Sequence, residues 1–97
     1  MTAPIELTRD MGLTRDEFLR TLPRVVAGQR WHDDGTRLTN VDQDRRIEIS
    51  LIEQSPRALG ALRLPSLLVD LRFVGFTSAQ VEAFMARFER CFQRGGG

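Results

Sequence analysis

The stretch that decides the fold is FTSAQVEAFMARFERCFQR, residues 76–94. Its apolar residues recur three and four positions apart, which places them along one face of an α-helix. These residues are Val81, Phe84, Met85, Phe88 and Phe92. An apolar face of this size must be covered, and the strand-like segments that precede it are the predicted cover.

The same stretch contains signals for both ends of the helix. Thr77 and Gln80 have the spacing of a capping box, in which each side chain accepts a hydrogen bond from the other residue's backbone N–H. Phe76 and Val81 flank the cap as a hydrophobic staple. At the other end, Gly95 suits the left-handed residue that commonly ends a helix.

A second helix start occurs near the beginning of the chain. Thr14 and Glu17 repeat the capping-box spacing, which predicts a helix over residues 12–22. Pro23 lacks a backbone N–H and restricts the residue before it, so the helix is expected to end or bend there.

The ends of the chain lack periodicity. Residues 1–11 contain Pro4 and no regular apolar spacing, and we predict a disordered tail. Residues 12–94 are then a single globular domain, a size that can bury a modest core. Residues 95–97 are all glycine and are predicted to fray; sulfur-carrier proteins also end in glycines, but theirs follow a strand.

Between the two helices, alternating apolar and polar residues predict five short strands: 29–33, 36–40, 45–54, 57–64 and 66–74. The separating turn signals are Asp34-Gly35, a polar turn before residue 45, Ser55-Pro56 and Pro65-Ser66. Short connections imply antiparallel neighbours. The expected fold is therefore a two-layer α+β domain of order α-β-β-β-β-β-α, with a meander sheet of four to five strands and both helices on one face.

Composition excludes several classes of protein. The 97 residues carry 14 Arg and no Lys against 13 acids, for a net charge of +1, which is too balanced to favour nucleic-acid binding. Arginine without lysine is typical of a GC-rich bacterial genome. No apolar run is long enough to span a membrane, and no signal-peptide pattern is present. With only one cysteine, Cys91, no internal disulfide can form, and a cytoplasmic location is expected.

The outward face of the predicted sheet is the main candidate binding surface. It mixes apolar and charged residues, a composition typical of a protein–protein contact, most simply a homodimer. The residues expected to bind the partner are Ile52, Leu59, Arg63, Leu68, Asp70, Arg72 and Val74. Scattered exposed apolar residues are also ordinary on protein surfaces, so both interpretations stay open.

A stripe of arginines on the last helix supports an alternative. Arg87, Arg90 and Arg94 share one helix face opposite the phenylalanines, and could bind an anion or nucleic acid. Nearby acids and the lack of free aromatic residues favour a plain solvated face instead.

Catalytic and metal-binding signals are weak. No hydrolase, metalloprotease, phosphate-loop or dinucleotide motif occurs, so no catalytic residue and no cofactor is predicted. His32, Asp33 and Asp34 are adjacent but alternate across a strand, so they cannot converge on a metal. The sequence predicts a non-enzymatic protein-binding or assembly module.

Overall fold

The computed structural model describes residues 3–26 and 30–93. Its elements are β1 (Ile5–Met11), α1 (Arg15–Val25), β2 (His32–Asp33), β3 (Arg37–Asp42), β4 (Arg45–Leu59), β5 (Leu62–Val74) and α2 (Ser78–Phe92). The five strands form one antiparallel sheet in the order β1-β5-β4-β3-β2. The predicted two-layer α+β class is confirmed, but the observed element order is β-α-β-β-β-β-α.

One face of the sheet carries the core. Alternation along β5 places Leu67, Val69, Leu71 and Phe73 on this inner face, and each is at most 1% exposed. The register places Ile47 and Ile49 of β4 and Leu38 of β3 on the same face. These strand residues share one buried cluster with residues of both helices: Phe18, Leu22, Val25, Val81, Met85 and Phe88. Both helices therefore cover the inner face.

Aromatic side chains join the two layers. The ring of Phe73 in β5 makes edge contacts with Phe76 and with Phe84 of α2, each at 5.3 Å between centroids. Phe18 of α1 stacks on Phe92 of α2 at 4.8 Å. The predicted packing on the sheet is confirmed for Phe84, and Phe88 is buried in the shared core as predicted. The ring of Phe92 instead contacts Phe18 and Phe88, and so holds the two helices together.

Both predicted capping boxes are confirmed. In each, the N-cap threonine hydroxyl accepts the N–H of the third helical residue at 3.1 Å, and that residue's side chain accepts the threonine N–H at 2.9 Å. The pairs are Thr14 with Glu17 and Thr77 with Gln80. The expectations for Gly95 and for residues 95–97 concern positions outside the described residues.

The predicted disordered tail is wrong for residues 5–11, which form β1. This strand pairs with β5 without interruption, from Ile5 opposite Phe73 to Met11 opposite Leu67. Ile5, Leu7 and Met11 lie on the inner face and pack against the core. Arg9 interrupts the alternation of apolar residues, which hides the strand in the sequence. The folded domain therefore includes residues before position 12.

Helix α1 continues through Pro23 to Val25, so of the two expectations for Pro23, an end or a bend, the end at Leu22 is wrong. Proline at this position removes one hydrogen bond, to the carbonyl of Leu19, close to the helix end. Val25 is 1% exposed and belongs to the core cluster. Burial of Val25 keeps the last turn helical in spite of the lost bond.

The turn between the two long strands also differs from the prediction. Strand β4 runs through Ser55-Pro56 and β5 runs through Pro65-Ser66, so segments predicted as three strands form two. The chain reverses instead at Gly60, where φ is 62°. The ladder is irregular between Gln54 and Arg57, and both prolines lie at this irregularity. A proline is tolerated there because no regular ladder hydrogen bond is required of it.

Candidate functional site

The centre of the outer face is filled by ion pairs, which we call the charged centre. Glu48 of β4, with only 13% of its side chain exposed, receives three arginines. Its carboxylate lies 3.0 Å from Arg72 Nη1, 3.4 Å from Arg46 Nε and 3.7 Å from Arg37 Nη1. Arg72 also lies 3.7 Å from Glu6 of β1. The charged centre thus links four adjacent strands within one chain.

Two residues predicted to bind a partner belong to this region. Arg72 is held by Glu48 and Glu6, and Asp70 accepts a hydrogen bond from the hydroxyl of Thr8 at 2.8 Å. Their charged groups are engaged with neighbouring strands. Both side chains therefore already stabilise the sheet within one chain.

Beyond the charged centre, β4 and β5 continue as a hairpin, which we call the arm, residues 52–64. The arm is two-stranded from Gln54 onward, because β1 still pairs with the β5 residues opposite Ile52 and Glu53. Strand β3 pairs with β4 only as far as Ser50, and β1 pairs with β5 only as far as Leu67. Every residue of the arm is exposed. An isolated two-stranded hairpin is only marginally stable in water, so the arm is the part of the fold that most needs another surface.

Leucines of the arm lie together on one of its faces. Leu59 is directly opposite Leu62, and Leu64 follows Leu62 by two residues and so shares its face. Their exposed fractions are 60%, 65% and 40%. Nearer the sheet, Ile52 is opposite Leu68 and extends the apolar strip. Four of the five large hydrophobic side chains that are exposed among the described residues, all except Val41, lie on this strip.

The predicted binding set is therefore divided by the structure. Ile52, Leu59 and Leu68 lie along the apolar strip. Arg63 is opposite Ala58 and one residue from Leu62, so it lies on the other face of the arm, and its predicted place on the outer face is wrong. Val74 is opposite Arg46, at the end of β5 far from the arm.

Leu62 and Leu64 are the site residues that the sequence analysis missed. Within the single predicted strand 57–64, alternation would place both residues on the face opposite Leu59. The signal that could have found them is Gly60, since a glycine between two leucine-containing segments is a common hairpin turn.

The base of the arm is fastened by polar contacts. Arg57 makes an ion pair with Asp10 of β1. The hydroxyl of Ser66 lies 3.3 Å from both Asp10 Oδ1 and Gln54 Oε1. These contacts connect β1, β4 and β5 where the regular ladder is interrupted, and so fix the direction in which the arm leaves the sheet.

The other predicted candidates are placed as follows. Arg87 and Arg90 are exposed on α2, and Arg94 lies outside the described residues.

Asp33 and Asp34 stabilise the β2–β3 turn that was predicted at Asp34-Gly35, where Gly35 has a φ of 98°. Backbone N–H groups of Thr36 and Arg37 donate to Asp34 and lower the pKa of its carboxyl below the usual aspartate value. Asp33 pairs with Arg15 of α1 at 3.3 Å.

Over residues 3–26 and 30–93, no group of three or more His, Cys, Asp or Glu side chains is placed to hold a metal ion. Neither of the two described helices is long and apolar enough to cross a membrane. Comparison of the chain with protein-family models, with curated proteins and with solved structures gives no match.

Proposed function

We propose that this chain is a non-enzymatic, cytoplasmic assembly module that associates with a second copy of itself through the arm. The observation that carries the proposal is the run of exposed residues from position 52 to 64, with Leu59, Leu62 and Leu64 on one face. A two-fold contact of arm against arm brings the same leucines together from both copies, as an isologous dimer requires.

The size of the apolar strip determines how tightly two copies of the chain are expected to associate. Covering the exposed part of each leucine contributes about 1 kcal/mol, and a symmetric contact covers three leucines from each copy. The loss of translational and rotational freedom opposes this gain by at least about 4 kcal/mol. The three leucines of each copy alone therefore leave a net gain of roughly 2 kcal/mol, a Kd of tens of millimolar, so a dimer at micromolar concentrations requires the contact to cover the rest of the arm as well. Association should be measured at high protein concentration.

The test is the triple variant Leu59→Ser, Leu62→Ser and Leu64→Ser, compared with the wild type by sedimentation velocity at roughly 100 µM. We expect the wild type to sediment as a dimer or larger, and the triple variant to lose the arm contact and sediment as a smaller species. The matched control is Val41→Ser. Val41 is 66% exposed and lies on the outer face of β3, away from the arm, so this variant should sediment like the wild type.

Two results would overturn the proposal. One is a wild type that stays monomeric at this concentration. The other is a triple variant that keeps the wild-type sedimentation coefficient. Circular dichroism of the triple variant establishes that it is folded, which is expected because none of the three leucines belongs to the core.

The alternative function, anion or nucleic-acid binding through Arg87, Arg90 and Arg94, gains no specific support. On α2, Arg87 and Arg90 lie among the acidic residues Glu82 and Glu89, and Glu89 lies 3.4 Å from Arg9. A solvated helix face of mixed charge is the simpler interpretation.

A further inference from the structure

We infer that a second copy of the chain also pairs along the free edge of β1, through a two-fold axis at Leu7. The inference concerns a surface other than the arm. It rests on an unpaired strand edge, an apolar groove beside it, and a charge pattern that favours one register of self-pairing.

Strand β1 is at the edge of the sheet and pairs only with β5 among the described residues. Its seven residues are in continuous register, with neither a proline nor a bulge to protect the edge. The backbone N–H and C=O groups along its free edge therefore have no strand partner among the described residues, although the carbonyl of Thr8 accepts a hydrogen bond from Arg9 Nη1 at 3.1 Å. Such an edge is a template for strand addition.

A groove lies between this edge and α2, which we call the edge groove. Its apolar lining comes from Ile5 and Leu7 of β1 and from Val81 and Met85 of α2. The polar residues that also line it are Arg9, Ser78 and Glu82. A strand added beside β1 would direct every second side chain into this groove. The edge groove therefore favours an added strand whose inner-face residues are mainly apolar, and β1 itself has that pattern at Ile5, Leu7 and Met11, with Arg9 as the exception.

Charge distinguishes the possible registers of β1 against a second β1. A two-fold axis perpendicular to the sheet keeps inner-face residues opposite inner-face residues. Centring the axis on Thr8 would place Glu6 opposite Asp10, and centring it on Arg9 would place two arginines opposite each other. Like charges directly opposite are destabilising in an antiparallel pair. Centring the axis on Glu6 would place two glutamates opposite each other, which is destabilising for the same reason.

The register centred on Leu7 avoids these contacts. It places Leu7 opposite Leu7 and Glu6 opposite Thr8. It also places Arg9 opposite Ile5 of the second copy, whose Glu82 lines the same groove. Of the four registers compared, this one avoids like charges directly opposite each other. It also brings Arg9, which within its own chain lies 3.4 Å from Glu89, near Glu82 of the second copy, and this charge pattern is the reason for choosing a second copy as the occupant of this edge.

The test is disulfide cross-linking of single-cysteine variants in a Cys91→Ser background. With the axis at Leu7, the two positions 7 face each other directly, within the range of Cα separations that a disulfide spans. The two positions 8 are displaced by two residues along the strand and lie roughly 8 Å apart, beyond that range. Under mild oxidation we expect Leu7→Cys to cross-link about tenfold faster than Thr8→Cys.

Equal rates for the two variants, faster cross-linking of Thr8→Cys, or no cross-linking of either would overturn the inference. The same measurement in the background of the triple arm variant separates it from the proposed function. Cross-linking of Leu7→Cys that persists when the arm leucines are serine belongs to the β1 edge alone. Loss of cross-linking in that background would show that the edge contact depends on the arm, which contradicts independent pairing along β1.

Discussion

Replacement of Phe88 by alanine is expected to lower the free energy of unfolding by about 3–5 kcal/mol, the largest effect of any single substitution considered. Phe88 is 1% exposed and lies between the two helices and the sheet. Its ring centroid is 4.6 Å from that of Phe92 and 6.1 Å from that of Phe18. Alanine would leave a cavity where both layers meet, because the rings around it are held by other contacts.

The measurement is equilibrium unfolding in urea at one fixed protein concentration, because self-association adds to apparent stability. Phe92→Ala is the matched control: it makes the same chemical change one helical turn later, at a half-buried position. A clearly smaller loss is expected for it. Losses of equal size would contradict the placement of Phe88 at the centre of the core. The total free energy of unfolding of a small domain is only about 5–15 kcal/mol, so a loss of the size expected for Phe88→Ala takes up much of it. Phe88→Leu, which removes less of the side chain, provides a milder second variant.

Replacement of Gly75 by alanine is expected to lower the free energy of unfolding by about 2–5 kcal/mol, through two separate effects. Gly75 connects β5 to the cap of α2 with a φ of 79°, a conformation that other residues rarely adopt. A Cβ at this position would lie 2.6 Å from the backbone oxygen of Asp44. The clash is with the β3–β4 turn, so no side-chain rotation can relieve it.

Two other glycines separate these effects. Gly60 has a φ of 62° with open space around a built Cβ, so Gly60→Ala has only the backbone effect, about 1–2 kcal/mol. Gly12 does not have positive φ, and the nearest atom to a built Cβ is 3.8 Å away, so Gly12→Ala should stay within about 0.5 kcal/mol. Thermal or urea unfolding should rank Gly75→Ala as most destabilised. If Gly75→Ala and Gly60→Ala lowered the free energy of unfolding equally, the proposed steric clash at Gly75 would be contradicted.

The sequence was informative wherever one local signal decided the structure. Both capping boxes, the apolar stripe of α2 and the alternation in residues 66–74 are patterns set by near neighbours, and all were predicted correctly. The alternation also indicated which residues of 66–74 lie on the inner face of the sheet. The packing of Phe84 and Phe88 could therefore be anticipated without knowledge of distant contacts.

The errors arose where distant contacts decide. Residues 5–11 form a strand because β5, about sixty residues later, supplies the partner, and Arg9 breaks the local pattern that would have indicated it. Pro65 is a strong turn signal, but it lies in a strand opposite another irregularity, while Gly60 makes the turn. That displacement of five residues moved Leu62 and Leu64 to the wrong face, and with them the centre of the candidate site.

A dilution series followed by methyl NMR tests the central claim most directly, namely that a second copy covers the arm. The methyl signals of Leu59, Leu62 and Leu64 should shift together as the protein is diluted from high concentration and become accessible to a soluble paramagnetic probe. Those of Ile49, which is 0% exposed, should stay constant and protected. Arm methyl signals that are unchanged across the series and accessible to the probe at every concentration would contradict the claim.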